Sequence, residues 1–580
     1  MPAANAAGIS AATRIDLVLL WHMHQPDYRD HATGEFHLPW VYLHALKDYS
    51  DMAWHLEQHP GMRAVVNFAP ILLQQIDDYA DQFATGRVRD RLLRLLRHPG
   101  AEPLTPGERA HILARCFRTN HERVIAPFPR YLALLEIFRE IEQHGDDAQS
   151  YLSDQYFYDL LTWYHLGWTG ESLRRESDFV AHLTAKAAHF SENDRSGLFE
   201  LIGETIGGII PRWRRLAERG QVELSTTPEC HPLAPLLLDF ASAREALPNC
   251  ALPALPYPGG RERVDAQIDA ALSAHAQWFG MPAAGSWPAE GALSTEVLEL
   301  LAARGLRWTA SGGEVLRNSL AAGPVEAPPG WLYRPYRVDV PGSKLACFFR
   351  DDFLSDRIGF EYAKWNGDDA ALDMITAIER TRAAVHDGET PVVSIILDGE
   401  NCWEYYPYNG HYFLDALYRS LETHATIRPT TYSDWLGGRT EPYPPAAGPV
   451  ATATLSRLVA GSWVGGNFAT WIGSPDRNHA WDLLCAAKRC YDHATVTGKI
   501  DPERAREATR QLAVCEASDW FWWLSDVNPA FAVAELESLF RSHLAHLYRL
   551  LDEPPPAALA QSISHGAGTP EAGGTMRRAA

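Results

Sequence analysis

The chain has 580 residues, of which 46% are hydrophobic, 11% aromatic and 22% charged, which excludes a disordered or fibrous protein and allows two or three folded units. With 52 Lys and Arg against 73 Asp and Glu the formal charge is -21, so the average field repels phosphate backbones and anionic lipid, excluding nucleic acid and membrane as general partners. The eight cysteines include no Cys-x-x-Cys pair, and the chain has neither a signal-peptide start nor an apolar run long enough to span a bilayer, so a cytoplasmic protein is expected.

Taken in chain order, Ile15 to Leu20 is a short apolar run that ends in the polar cluster Trp21-His22-Met23-His24-Gln25-Pro26, the pattern of a strand buried on both faces. Val65 to Phe68, Val222 to Leu224 and Pro391 to Leu397 have the same character. Helical stretches lie between them, which predicts a parallel sheet wrapped by helices and closed into a barrel. From about Ala101 to Gly220 the pattern is helical throughout, and Thr105-Pro106-Gly107-Glu108 spells a helix start: a cap, a proline at the first position and an acid at the third. The expected division is a barrel over 14–435 with a helical insertion at about 101–219 and a C-terminal helical domain over 450–552. Ser474-Pro475 and Asp501-Pro502 each read as a helix cap with its first residue. The tail, 553–580, is rich in Pro, Ala, Gly and Ser and is expected to be disordered.

In such sheets reactive groups collect at the carboxyl ends of the strands. His22 and His24 share a face by the strand period of two and can ligate zinc, hydrogen-bond a polar substrate as neutral imidazoles, or simply pack a loop. His231, before Pro232, fits a turn as well as a site. Asp398, Glu400 and Glu404 follow the most apolar run of the chain beside Trp403, where partial desolvation can raise a carboxyl pKa into the range of a proton donor. Glu290, in Ser286-Trp287-Pro288-Ala289-Glu290-Gly291, offers a second carboxylate at another strand end, the pairing glycoside hydrolysis requires. The 19 tryptophans add a supply of flat rings that can pack on sugar faces.

At these residues the sequence resembles glycoside hydrolase family 57, in its amylopullulanase and α-amylase branch. The ordered motifs are WHMHQP (21–26), GQVELSTTPECHPLAPLL (220–237), GSWPAEGALS (285–294), LDGENCWEYYPYNG (397–410) and SWVGGNFATWIG (462–473), with FFRDDFLSDRIGF (348–360) and SDWFWWL (518–524) also similar. The resemblance implies an α/β fold, an incomplete (β/α)7 barrel with helical additions, and a retaining mechanism on α-glucans without metal or other cofactor. It assigns Glu290 as nucleophile and Asp398 as general acid/base, and places His22, His24, Gln25, His231, Trp287, Glu400 and Trp403 around the substrate, with Trp463 and Trp471 reaching in from the C-terminal domain. Branching enzymes of the family carry a His-x-Pro-Tyr type first motif and a Glu-Cys-Gly type third motif; here these read His24-Gln25-Pro26 and Glu290-Gly291-Ala292, which favours hydrolysis. One departure is Gly312-Gly313, where the family pattern leads to an acidic pair; it bears on a secondary substrate contact. The expected activity is cleavage of α-1,4 bonds in glycogen, starch or maltodextrins, with α-1,6 cleavage left open. The alternatives are a 4-α-glucanotransferase of the same fold, a zinc-dependent mannosidase- or deacetylase-like enzyme using His22 and His24, and a glucan-binding regulator.

Overall fold

The computed structural model describes residues 14–323, 327–338, 344–386, 389–437 and 452–568. Seven parallel strands form the frame: β1 (Ile15–Met23), β2 (Ala64–Phe68), β3 (Val222–Thr226), β4 (Gly285–Ser286), β5 (Trp308–Ser311), β7 (Ala346–Phe349) and β8 (Val392–Asp398). They lie in the order β8-β1-β2-β3-β4-β5-β7. A parallel bridge between Arg350 and Ser394 brings the end of β7 back to β8 and curls the sheet into a barrel. Three short strands extend the edges: β6 (Tyr336–Val338) runs antiparallel to β7, β9 (Ile427–Pro429) pairs with β1, and β10 (Ala453–Leu455) pairs with β6. All four strands expected from apolar runs are present. The other strands are shorter, two to four residues, and among them only β7 is wholly apolar.

Strand alternation explains how the barrel holds both a core and a site. Val18 and Leu20 of β1, Val65 of β2, Val392 and Ile396 of β8, Trp308 and Ala310 of β5, and Ala346 and Phe348 of β7 pack together inside, with Tyr432 and Trp435 against the same cluster. Leu17, Leu19 and Trp21 belong to the larger cluster between sheet and helices. One step beyond the inner apolar layer, the same alternation brings up Ser225, Asn67, His22 and Asp398, register partners across β3, β2, β1 and β8. The polar floor of the site is thus the next rung of the barrel interior.

Between β2 and β3 the chain is helical, including Pro106–Cys116, whose Thr105 and Glu108 form the expected capping box, and the 27-residue helix Glu192–Glu218. The C-terminal region contains Pro475–Val496, capped by Ser474, Pro502–Cys515, capped by Asp501, Ser518–Trp523 and Ala530–Leu550. Most of the Gly/Pro-rich segment after Trp435, residues 438–451, lies outside the described residues, as do 569–580. The disorder expected from residue 553 does not extend over 553–568. Leu559 is buried and its carbonyl accepts from Arg541, Ile563 N–H donates to Glu537 at 2.6 Å, and Gly568 pairs with Pro529. Backbone hydrogen bonds onto the last long helix order this segment despite its few large apolar residues. All eight cysteines are free thiols, and no helix among the described residues is long and apolar enough to cross a membrane.

A buried ionic knot ties the C-terminal region to the barrel. Glu516, fully inaccessible, accepts from Arg263 at 2.6 and 3.0 Å, from Gln267 at 2.6 Å and from the Tyr257 hydroxyl. Gln267 also accepts the Cys230 N–H at 2.9 Å, so one cluster sets both the chain after β3 and the turn before Ser518. Arg263→Met leaves the Glu516 carboxylate buried without its cation, and we expect a loss of about 3–5 kcal/mol in urea unfolding; an unchanged midpoint would mean that the knot contributes nothing.

Candidate active site

A cleft of about 850 Å³ opens at the carboxyl ends of the strands and is roofed by the C-terminal region. Its lining includes His22, His24, Gln25, His231, Glu290, Asp398, Glu400 and Trp463, eight of the residues expected from sequence. Trp287, Trp403 and Trp471 are not among them. At 0–1% exposure they are core residues. Trp287 packs edge-on beneath Trp463 with centroids 5.4 Å apart, Trp403 lies against Trp21 and donates to the Gly399 carbonyl, and the carbonyl of Trp471 accepts from Trp481. In this structure these rings support the walls of the cleft rather than line it, unlike the contact positions expected for them.

Glu290 follows the two-residue strand β4 on left-handed backbone, φ 58° and ψ 20°, a conformation that costs a non-glycine residue of order 1 kcal/mol and persists only where its surroundings enforce it. The enforcement comes from the C-terminal region. Leu293 and Gly461 exchange two backbone hydrogen bonds at 3.0 and 3.1 Å, and Trp463 N–H donates to the Glu290 carbonyl at 3.0 Å. The Trp463 indole then donates to Glu290 Oε2 at 3.1 Å, and the Ser518 hydroxyl lies 3.0 Å from Oε1. Burial pushes the Glu290 carboxyl up to about 8, the negative charges of Asp519 and Asp398 add to it, and the two hydrogen bonds oppose it.

Asp398 closes β8 and accepts the Asn401 amide at 2.8 Å. Burial pushes it up to about 6, against the Asn401 hydrogen bond and the positive potentials of His24 and Arg350. Glu400 is more deeply buried; its Oε1 accepts from the His24 N–H at 3.1 Å and from Gln25 at 3.2 Å, while Oε2 has no partner among the described residues. Burial first, and the charge of Asp398 second, hold Glu400 well above the ordinary carboxyl range, which favours its protonated, hydrogen-donating form.

The three imidazoles form a stack, with His24 on His231 at 3.7 Å and His22 beside His231 at 5.0 Å between centroids. Burial pushes His22 down to about 3, with His24 adding and the Asn67 hydrogen bond opposing; burial and the other two histidines hold His231 well below its usual value. Nitrogen or oxygen atoms of His24, His231 and Asp519 lie within 4.8 Å of one another. Rings stacked at 19° direct their in-plane lone pairs nearly parallel, so they do not converge on one ion as a zinc site requires. Both nitrogens of His22 are already engaged, by Asn67 at 2.7 Å and His231 at 3.0 Å. The zinc-ligand reading of His22 and His24 does not fit this arrangement.

Residues 18–445 match the sequence model of glycosyl hydrolase family 57. The chain belongs to that family, and is a glycosidase-type enzyme. Its fold is similar to those of family 57 branching enzymes from Pyrococcus horikoshii (TM-score 0.57, 16% identity) and Thermococcus kodakaraensis (TM-score 0.56, 16% identity), each match covering 93% of this chain and 90% of the other. It is also similar to the α-amylase AmyC from Thermotoga maritima, with TM-score 0.53 and 13% identity over 93% of both chains.

Within this family 57 site several residues escape a reading by strand ends. Ser518 and Asp519, which pairs with His24 at 2.9 Å, come from a helix start, Asn67 lies inside β2, and Arg350 directly follows β7. Ser518-Asp519-Trp520 and Arg350-Asp351-Asp352 lie inside motifs that carry the family resemblance, which was the available signal. The Gly312-Gly313 departure has a steric reason. A Cβ on Gly312 would lie 2.7 Å from the Trp463 Cα, and one on Gly313 would lie 2.8 Å from the Arg350 carbonyl and the Asp352 carboxylate. The Trp463 loop and Asp352 occupy the space an acidic pair would need.

The raised Glu290 carboxyl has a stability consequence. From its ordinary 4.5 to about 8 the folded chain holds a proton that the unfolded chain has released, so stability falls across this window as pH rises. Glu290→Gln carries no charge at any pH, and we expect its melting temperature to gain on the wild type between about pH 5 and about pH 8.5. A pH-independent difference would contradict the burial of this carboxyl.

Proposed function

We propose that the protein is a retaining α-glucan hydrolase, close in type to the α-amylases and amylopullulanases of family 57, that cleaves α-1,4 bonds in glycogen, starch or maltodextrins by double displacement. The observation that carries the reading is the convergence of Glu290 and Asp398, from two strand ends, on one cleft where the charge of Asp398 acts on Glu290. The reactive state has Glu290 ionised and Asp398 protonated, a minority ionisation at neutral pH for carboxyls raised to about 8 and about 6; in it Glu290 attacks the anomeric carbon while Asp398 gives its proton to the leaving oxygen, and Asp398 then takes a proton from the water that releases the sugar from Glu290. Fixed by the Trp463 indole and the Ser518 hydroxyl, the Glu290 carboxylate has little freedom to lose on attack.

Substrate recognition follows from the lining. Glu400, with His24 and Gln25 beside it, offers hydrogen bonds to sugar hydroxyls, and the half-buried Trp522 and Trp523, rings 4.9 Å apart, supply apolar faces near the mouth. The family resemblance and the similarity to an α-amylase and branching enzymes support an α-glucan as the partner. The reading requires no cofactor. We place it in the cytoplasm, as its dispersed free thiols favour a reducing compartment.

Glu290→Ala and Asp398→Ala are each expected to lower turnover of maltoheptaose by roughly 10²–10⁴-fold or more. Added azide should give a β-glycosyl azide with Glu290→Ala and an α-glycosyl azide with Asp398→Ala, because the two variants lack different halves of the displacement. Either variant acting at wild-type rate overturns its assignment. In chromatography of wild-type products, net shortening of maltoheptaose supports the hydrolase; redistribution into longer and shorter chains means a glucanotransferase, and maltotriose from pullulan adds α-1,6 cleavage.

A further inference from the structure

A continuous row of hydrogen bonds runs behind the Glu290 carboxyl. Ser225 Oγ meets the Asn67 amide at 2.9 Å, the Asn67 side-chain oxygen meets His22 Nδ1 at 2.7 Å, and His22 Nε2 meets His231 Nε2 at 3.0 Å. His231 Nδ1 then meets Ser518 Oγ at 2.9 Å, and Ser518 Oγ meets Glu290 Oε1 at 3.0 Å. Ser225, Asn67, His22, His231 and Ser518 are all buried, so water does not interrupt the row. Two constraints hold its ends in place: the Ser518 N–H donates to the His231 carbonyl at 2.9 Å, and Ala517 pairs with Pro232.

The row has a direction. With the Asn67 oxygen turned to His22, His22 carries its hydrogen on Nδ1 and accepts at Nε2; His231 therefore donates from Nε2 and accepts at Nδ1. Ser518 has one hydroxyl hydrogen and two partners. If it donates to His231, Glu290 must donate to it and be protonated. If Glu290 is ionised, Ser518 donates to Glu290, and His231 Nδ1 must carry a hydrogen.

We propose that Ser518 couples the ionisation of Glu290 to His231, relaying the proton that the nucleophile gives up to His231 Nδ1. The step balances: the Glu290 O–H bond breaks as an O–H bond forms on Ser518 Oγ, while the original Ser518 hydrogen forms an N–H bond on His231 Nδ1. The immediate products are a carboxylate held by the serine hydroxyl and a short-lived imidazolium, disfavoured by its burial and by the neighbouring histidines, that donates to Ser518 and to His22. One proton then leaves to the solvent of the cleft that His22 and His231 line, so that His22 keeps a single hydrogen on Nε2, donated to His231, and the Asn67 amide turns its nitrogen toward His22 Nδ1, with Ser225 donating to its oxygen. Every polar atom in the row stays satisfied in either direction. The groups facing this row are His24, on β1, stacked on His231; Asp398 and Glu400, at the end of β8; Asp519, next to Ser518 and paired with His24; and Arg350, whose charge acts on Asp398. Ser518 is on this account a positioning residue that acts through Glu290.

The inference rests on Glu290 as nucleophile. Its signature is a ring nitrogen that gains a hydrogen as pH rises, the reverse of ordinary histidine titration. With ¹⁵N-histidine protein, the His231 resonances being those missing in His231→Asn, we expect Nδ1 to pass from bare to protonated as Glu290 ionises, and the transition to vanish in Glu290→Gln. A His231 Nδ1 that stays bare throughout overturns the relay. In kinetics on maltoheptaose, Ser518→Ala should lower kcat/KM about tenfold or more on the acid side of the profile and by less than about threefold above it, with Ser518→Thr restoring the profile. A uniform loss at every pH with the limb unmoved overturns the proposal. An inactive Glu290→Ala together with an unmoved Ser518→Ala profile removes only the relay, whereas an active Glu290→Ala removes the nucleophile assignment itself.

Discussion

The site depends on holding one carboxyl group in a place that neither water nor ordinary backbone geometry favours. Glu290 sits on left-handed backbone, and its environment favours the protonated form up to about pH 8. What keeps it there is contributed by chain some 170 to 230 residues away in sequence: the Leu293–Gly461 bridge, the Trp463 indole and the Ser518 hydroxyl. Barrel and C-terminal region therefore build the candidate site together. A carboxylate so desolvated is poorly solvated by water and well oriented by fixed dipoles, which is the condition for attack on a sugar carbon.

The same arrangement explains why charge is buried elsewhere. The Arg263–Glu516 pair stabilises little in net terms, because two charges leave water to form it. Its geometric effect is specific: it fixes Gln267 and hence Cys230, one residue before His231, while Glu516 stands two residues before Ser518. The pair sets the register between the two halves of the hydrogen-bond row behind Glu290. Retaining such a knot is consistent with a fold that trades stability for the position of a few polar atoms.

Much of this was legible in the sequence, and the limits have physical causes. β1, β2 and β8 announce themselves because strands buried on both faces are predominantly apolar, and β3 by the apolar Val222 and Leu224 on either side of Glu223. β4 has two residues, too few for any periodic signal, yet it carries Glu290, which only the family motif and the neighbouring tryptophan mark out. His22, His24, Glu400 and Asp398 were found because polar residues that end a buried strand stand out against the run before them. Asn67 was missed because it lies inside the β2 run, one polar side chain among apolar ones, and its role appears only through register with His22. Trp287, Trp403 and Trp471 were placed in the site because a tryptophan beside catalytic residues reads the same from sequence whether its ring lines the cleft or supports it. The order of 553–568 rests on backbone hydrogen bonds, which composition does not record.

A double displacement through Glu290 and Asp398 dictates the anomeric form of the first product. Proton NMR of maltoheptaose during the first turnovers, before mutarotation, should show the newly formed reducing ends as the α-anomer. Initial accumulation of the β-anomer would mean direct attack by water and contradict a covalent step at Glu290.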